Sequence, residues 1–101
     1  MTVLWTARSR QDITDIHNFI AKDSTSAAAR FIDKIIQLVS ILETSPRAGR
    51  IVPELRQEAT RELIQGNYRI VYTIQKDTIY IVTVFERHRL PDIRPISDTE
   101  E

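Results

Sequence analysis

Arginine supplies most of the chemistry that this sequence could carry. Arg61 and Arg69 stand on two neighbouring β-rich runs, and Arg87, His88 and Arg89 follow directly on a third. Antiparallel strands can bring such side chains to one sheet edge, where guanidinium groups, always charged and bidentate toward oxyanions, could clamp phosphates. The same permanent charge makes arginine a poor general acid or base, because that work needs a group that exchanges a proton near neutral pH. His88 is the one local residue with that property. A second reading stays open beside the first: Glu58, Glu62 and Glu86 could pair with these cations as a solvated network, and surface ion pairs are common and weak.

Other chemistries are excluded by what is missing. Two glycines, Gly49 and Gly66, cannot build a G-x-G-x-x-G turn or a Walker phosphate loop. There is no G-x-S-x-G elbow, and the absence of cysteine removes disulfides, thiolate metal sites and thiol nucleophiles together. His17 falls on the apolar face of a predicted helix, far along the chain from His88, which suits a core-edge histidine better than a zinc ligand. No metal and no cofactor is expected.

The elements that would position the arginines fit one small domain. The chain has 101 residues, 42% of them hydrophobic, enough for one packed core and too short for two. Lys plus Arg equals Asp plus Glu at 14 each, yet Asp98, Glu100 and Glu101 sit in the last four residues. The expected organisation is a domain over residues 1–96 with an acidic tail at 97–101, and a body that is mildly basic without it. No window approaches the ~18 apolar residues of a membrane span, and no basic-then-apolar leader opens the chain. A soluble, cytoplasmic protein is expected.

Val3-Leu4-Trp5 reads as a short first strand, with Thr6 as the N-cap of a helix over about 7–22, in which Ile13, Ile16, His17 and Ile20 share a face. After the turn residues 23–26, a second helix carries the stripe Ala28, Phe31, Ile32, Ile35, Leu38, Val39 and Leu42. It must end before Pro46, which disfavours helical geometry in the residue preceding it. So short a link predicts an antiparallel helical hairpin. Residues 46–60 read as a loop, and strands are expected over 61–64, 68–75 and 78–86 with tight turns between them.

Alternation puts Tyr68, Ile70, Tyr72 and Ile74 on one face of the middle strand, with Arg69, Val71, Thr73 and Gln75 on the other. In the last strand, Tyr80, Val82 and Val84 oppose Ile79, Ile81, Thr83 and Phe85. The helices can cover only one face, so Val71, Tyr80, Val82 and Val84 form either an exposed apolar patch for a partner or a face covered by a loop or the tail.

Taken in order, Trp5-Thr6, Asp12-Ile13, Phe19-Ile20, Pro46-Arg47-Ala48-Gly49-Arg50, Arg61-Glu62-Leu63, Gly66-Asn67-Tyr68-Arg69-Ile70-Val71-Tyr72 and Ile81-Val82-Thr83-Val84-Phe85 resemble the RelE/ParE superfamily of toxins across nearly the whole chain. The resemblance implies an α+β fold, with a short first strand and a helical hairpin packed on a mainly antiparallel sheet of three to four strands. It also implies a type II toxin neutralised by a cognate antitoxin in a hetero-oligomer, the antitoxin folding onto the sheet patch or the groove beside the helices.

Two activities occur in the superfamily. RelE-like members cut messenger RNA on the ribosome with basic side chains, to which Arg61, Arg69 and Arg87 correspond, and often with a tyrosine beyond the last strand. This chain has Leu90-Pro91-Asp92-Ile93 there, leaving His88 as the only proton carrier. ParE-like members inhibit DNA gyrase and need no base. The Pro-Arg-x-Gly loop and the basic residues after a strand ending in phenylalanine resemble that branch more closely, with Arg87, His88 and Arg89 as the target-binding group.

Overall fold

The computed structural model describes residues 1–89. Leu90 to Ile93 and the acidic tail lie outside the described residues. The elements are β1 (Thr2–Trp5), α1 (Ala7–Ala21), α2 (Thr25–Ser40) with a 3-10 turn over Ile41–Glu43, β2 (Arg50–Ile51), β3 (Thr60–Gln65), β4 (Tyr68–Gln75) and β5 (Thr78–Glu86). The helical hairpin lies on one face of a five-stranded sheet ordered β1-β5-β4-β3-β2. β1 runs parallel to β5, and the other neighbours are antiparallel.

Both helices begin where side-chain caps dictate. The Thr6 hydroxyl accepts from the Ser9 amide at 3.2 Å and donates to the Ile81 carbonyl at 2.7 Å, so one residue starts α1 and ties it to β5. Ser24 caps α2 through the Ala27 amide at 3.1 Å. The apolar stripe of α2 then buries Phe31, Ile35 and Val39, joined by Leu42, against Ile70, Tyr72, Ile79, Ile81 and Val84 of the sheet. Burial of this kind is the main source of stability in a domain of this size. α1 is held less deeply: Ile13, Ile16 and Ile20 are only partly buried, and Phe19 is 67% exposed. Its position is fixed by Asp12, whose carboxylate accepts from the Thr83 hydroxyl and the Val84 amide of β5.

The opposite sheet face is not an open apolar patch. Val71 and Val82 are buried in a second cluster with Val52 and Phe85, against which Leu55 and Tyr80 pack. Val52 and Leu55 come from the segment between β2 and β3, so the loop covers the face that sequence alternation left open. Val84 is not on that face at all. Val71 pairs with Thr83 and Tyr72 with Ile81, which leaves Val82 as an extra residue, a bulge in β5. The bulge exchanges the two faces beyond it, sending Val84 under the helices and Phe85 to the loop side. Of the four residues expected to form a partner patch, Val71, Val82 and Val84 are buried and Tyr80 is half-buried.

Candidate functional site

The arginines of the sheet do not converge. A two-residue turn with Gly66 at φ +58° pairs Gln65 with Tyr68, and this register pairs Arg61 with Tyr72 and Ile64 with Arg69. Paired residues share a face, and residues three apart on one strand do not. Arg61 therefore lies on the helix side with Tyr72, and Arg69 on the loop side with Glu62.

Each is committed to the scaffold. Arg69 donates through Nε to Glu62 Oε1 at 2.6 Å, and through its two terminal nitrogens to both oxygens of Glu54 at 2.8 and 3.0 Å. Its guanidinium carbon lies 5.1 Å from the centroid of the Phe85 ring, within cation–π range. Glu62, with no exposed side-chain surface, takes a second cation from Arg50, whose Nε lies 2.6 Å from Oε2. A buried carboxylate is tolerated only when both oxygens are satisfied in this way. The guanidinium bonds of Arg69 hold the Glu54 carboxyl down at about 2.

Arg61 holds the other end of the same loop. Its Nη1 donates to the Gly49 carbonyl at 2.9 Å, its Nε to the Glu58 carbonyl at 3.0 Å and its Nη2 to Glu58 Oε2 at 2.8 Å. Arg47 shares that carboxylate at 2.7 Å, and the two guanidinium groups, Arg47 foremost, keep the Glu58 carboxyl at about 2. Tyr72 completes the arrangement: its hydroxyl donates to the Pro46 carbonyl at 2.7 Å and accepts from the Gly49 amide at 3.0 Å. Burial pushes the Tyr72 phenol above its usual range.

The pairing with Glu58 and Glu62 anticipated from sequence is thus present, although the Arg69–Glu62 half is buried rather than solvated. A phosphate clamp made of Arg61, Arg69 and Arg87 is corrected: the first two occupy opposite faces with their donors engaged. Arg87 stands apart at the end of β5, its backbone amide on the Asn67 carbonyl at 2.6 Å and its Nη1 3.4 Å from the Gly66 carbonyl.

Arg87, His88 and Arg89 are all exposed. They project beside the β3–β4 turn and form no ion pair with a carboxylate among the described residues. Arg89 also reaches a groove of about 560 Å3 between α1 and the end of β5, where Asp15, Phe19, Tyr68 and Glu86 contribute. Among the described residues no three metal-ligating side chains gather, and no helix is long and apolar enough to cross a membrane. The geometry offers an accessible cationic group at the end of β5.

Sequence reading passed over Arg50, Glu54 and Tyr72 as partners of this scaffold. The signal for Glu62 was present, an acid in a strand whose neighbour carries Arg69. Glu54 and Arg50 come from an aperiodic loop and gave none.

A model of the family described as ParE toxin of type II toxin–antitoxin system, parDE, matches residues 3–91. Y4kP of Sinorhizobium fredii, a protein named as a toxin, is 35% identical over 89 residues, covering 86% of this chain and 88% of that one. A solved structure described as the chromosomal ParDE TA system from P. aeruginosa superposes with a TM-score of 0.71. It is 17% identical, covers 85% of this chain and 95% of its own, and shows the shared fold.

Proposed function

The chain belongs to the ParE toxin family of type II toxin–antitoxin systems, and from that premise we propose that it arrests growth by binding and inhibiting DNA gyrase. Arg87, His88 and Arg89 form the contact, and a cognate antitoxin relieves the inhibition. The observation that carries this reading is the division of labour among the basic residues. Arg61 and Arg69 are locked into the loop scaffold by Glu58, Glu62 and Glu54, whereas the strand-end group is exposed.

A ribosome-dependent nuclease would need several cations at one scissile phosphate and a residue to move the proton of the ribose hydroxyl. Arg61 and Arg69 cannot reach one phosphate from opposite sheet faces. Inhibition by contact needs only an exposed, charged and rigid surface, and electrostatic complementarity would speed the encounter. The test is a supercoiling assay with purified gyrase and folded protein. Loss of supercoiling, or trapped cleaved DNA, at near-stoichiometric ratios is expected. Cleavage of ribosome-bound messages in primer extension, with gyrase unaffected, would replace this reading with the nuclease.

A further inference from the structure

The cationic end of β5 is held by its backbone and left open at its side chains. The Arg87 amide donates to the Asn67 carbonyl at 2.6 Å and the Arg89 amide to the Glu86 carbonyl at 3.0 Å, which ties the strand end to the β3–β4 turn. Elsewhere the chain answers its guanidinium groups with carboxylates: Arg47 and Arg61 share Glu58, and Arg50 and Arg69 share Glu62. Arg87 and Arg89 are exposed and form no such pair among the described residues. Glu86, the acid next to them in sequence, does not serve them. Its charge falls on Tyr68, whose phenol is pushed above its usual range by burial first and by Glu86 second.

Acids are concentrated in the sequence that follows. Through Arg89 the chain holds 13 basic and 10 acidic residues, whereas residues 90–101 hold Arg94 against Asp92, Asp98, Glu100 and Glu101. The two parts therefore carry opposite formal charges of equal size. Asp98 follows Arg89 by nine residues, a stretch that reaches at most ~32 Å when fully extended. Turning back over so short a stretch costs little closure entropy, and a tethered partner acts at an effective concentration of about millimolar. Cations at the far end of the sheet are poorer partners. Lys76, in the turn before β5, is separated from Arg87 by all nine residues of that strand, ~30 Å, which the acids could cover only at full stretch.

We propose that the acids of Asp98–Glu101 pair with Arg87 and Arg89 in the free chain and so compete with the target for the cationic strand end. The competition, though not the pairing, rests on the gyrase reading above. A guanidinium receives a carboxylate through parallel N–H donors, and both arginines have such donors open to solvent. Exposed pairs of this kind are individually weak and screened by salt, which suits a latch that a tighter-binding partner displaces. A target must find the strand end free, so its apparent affinity falls by the fraction of molecules in which the latch is open. The chain would thus carry its own brake, made of the acids that bring its overall charge to zero.

The chain has no cysteine, so Thr99→Cys gives one attachment point for a nitroxide label. Line broadening is then read at the Gly66 and Asn67 amides, which lie beside Arg87 yet far along the chain from the label. It should be present in low salt and fall about threefold in ~1 M salt, or when Asp98→Asn, Glu100→Gln and Glu101→Gln are combined in the labelled chain. In the supercoiling assay the unlabelled neutralised chain should inhibit gyrase at about three- to tenfold lower concentration than the parent, the factor expected of a mostly closed latch. Broadening that is absent, or that survives neutralisation, overturns the pairing. Broadening that grows with protein concentration assigns the acids to a second copy and overturns it as well. A contact that responds to neutralisation while inhibition is unchanged or weakened overturns the competition. If neither chain inhibits gyrase, the gyrase reading and the competition fall together, and the broadening still decides the pairing.

Discussion

Arg69 and Glu62 meet 2.6 Å apart inside the protein, with side-chain exposures of 8% and 0%. This contact joins β4 to β3 and, through Glu54 and Arg50, both strands to the loop that covers them. Removing one partner leaves the other with a single counterion, Arg50 for Glu62 or Glu54 for Arg69, so the cost approaches, from below, the about 3–5 kcal/mol of a fully broken buried pair. Arg69→Ala and Glu62→Gln should each lower unfolding free energy by about 2–3 kcal/mol in denaturant titrations. Arg69→Met combined with Glu62→Leu should recover most of the loss, since Arg50 and Glu54 are exposed enough to be solvated. A double variant no more stable than the singles would show that the apolar pair cannot fill the site.

The opposite face supplies a second stability test. Tyr72→Phe leaves the Gly49 amide and the Pro46 carbonyl without the hydroxyl that joins them, at a cost of about 1–3 kcal/mol. Gly49→Ala should be as damaging, because a Cβ there would sit 2.4 Å from the Glu62 carbonyl oxygen and 2.9 Å from Cε1 of Tyr72, and overpacking costs about 1–3 kcal/mol. Thermal unfolding of the two variants checks both. Unchanged midpoints would mean that the loop is held without this contact.

Acid should loosen the loop before the core. The Glu54 carboxyl is held at about 2 against an ordinary 4.5, first by its bonds from Arg69. A lowered value of this sort adds stability that is present in full above the ordinary value and is lost as pH falls from about 4.5 through about 2. Denaturation midpoints should therefore decline across that window, and Glu54→Gln should flatten the decline. Half of the Glu54 side chain is exposed, so the effect should be modest and should shrink further in high salt. An identical pH profile for Glu54→Gln would remove Glu54 from the account.

The site assignment separates two kinds of arginine. Arg87→Glu with Arg89→Glu should reduce gyrase inhibition more than tenfold without moving the thermal midpoint, because both side chains are exposed. Arg61→Ala should do the reverse: it loses bonds to Gly49 and Glu58 and destabilises the fold while leaving inhibition per folded molecule intact. The supercoiling assay, normalised to folded fraction by circular dichroism, distinguishes them. Equal inhibition by the double reversal would move the contact elsewhere.

Much of the architecture is legible in the residues. Thr6 and Ser24 announce the two helices, and the apolar stripe from Ala28 to Leu42 defines the face of the second. The strand runs are marked by β-branched and aromatic residues, and tight turns set them antiparallel. The bulge is not legible, because in Val82-Thr83-Val84-Phe85 either phase places apolar side chains on both faces, so nothing in the pattern shows that one residue is extra. β2 is hidden for another reason: two residues, Arg50 and Ile51, are too few to show a period.

The divergence of Arg61 and Arg69 was within reach. A two-residue turn at Gly66-Asn67, rather than one that begins at Gln65, fixes the pairing of β3 with β4 and so the opposed faces of the two side chains. Sequence proximity suggested a cluster, and register decides against it. A loop covering the second sheet face and Glu58 as an arginine partner are both among the readings the sequence allows, but which residues of 46–59 do the fastening is not legible. An aperiodic stretch gives no sign that Arg47, Arg50 and Glu54 will join Glu58 as its fastenings.

The first strand of this chain is the last to find its place. Thr2 lies opposite Thr78 and Trp5 opposite Ile81, so β1 has no strand neighbour until β5 has been synthesised. Contacts this distant in sequence slow folding. During translation the residues of β1 therefore wait without a strand partner until β5 has left the ribosome.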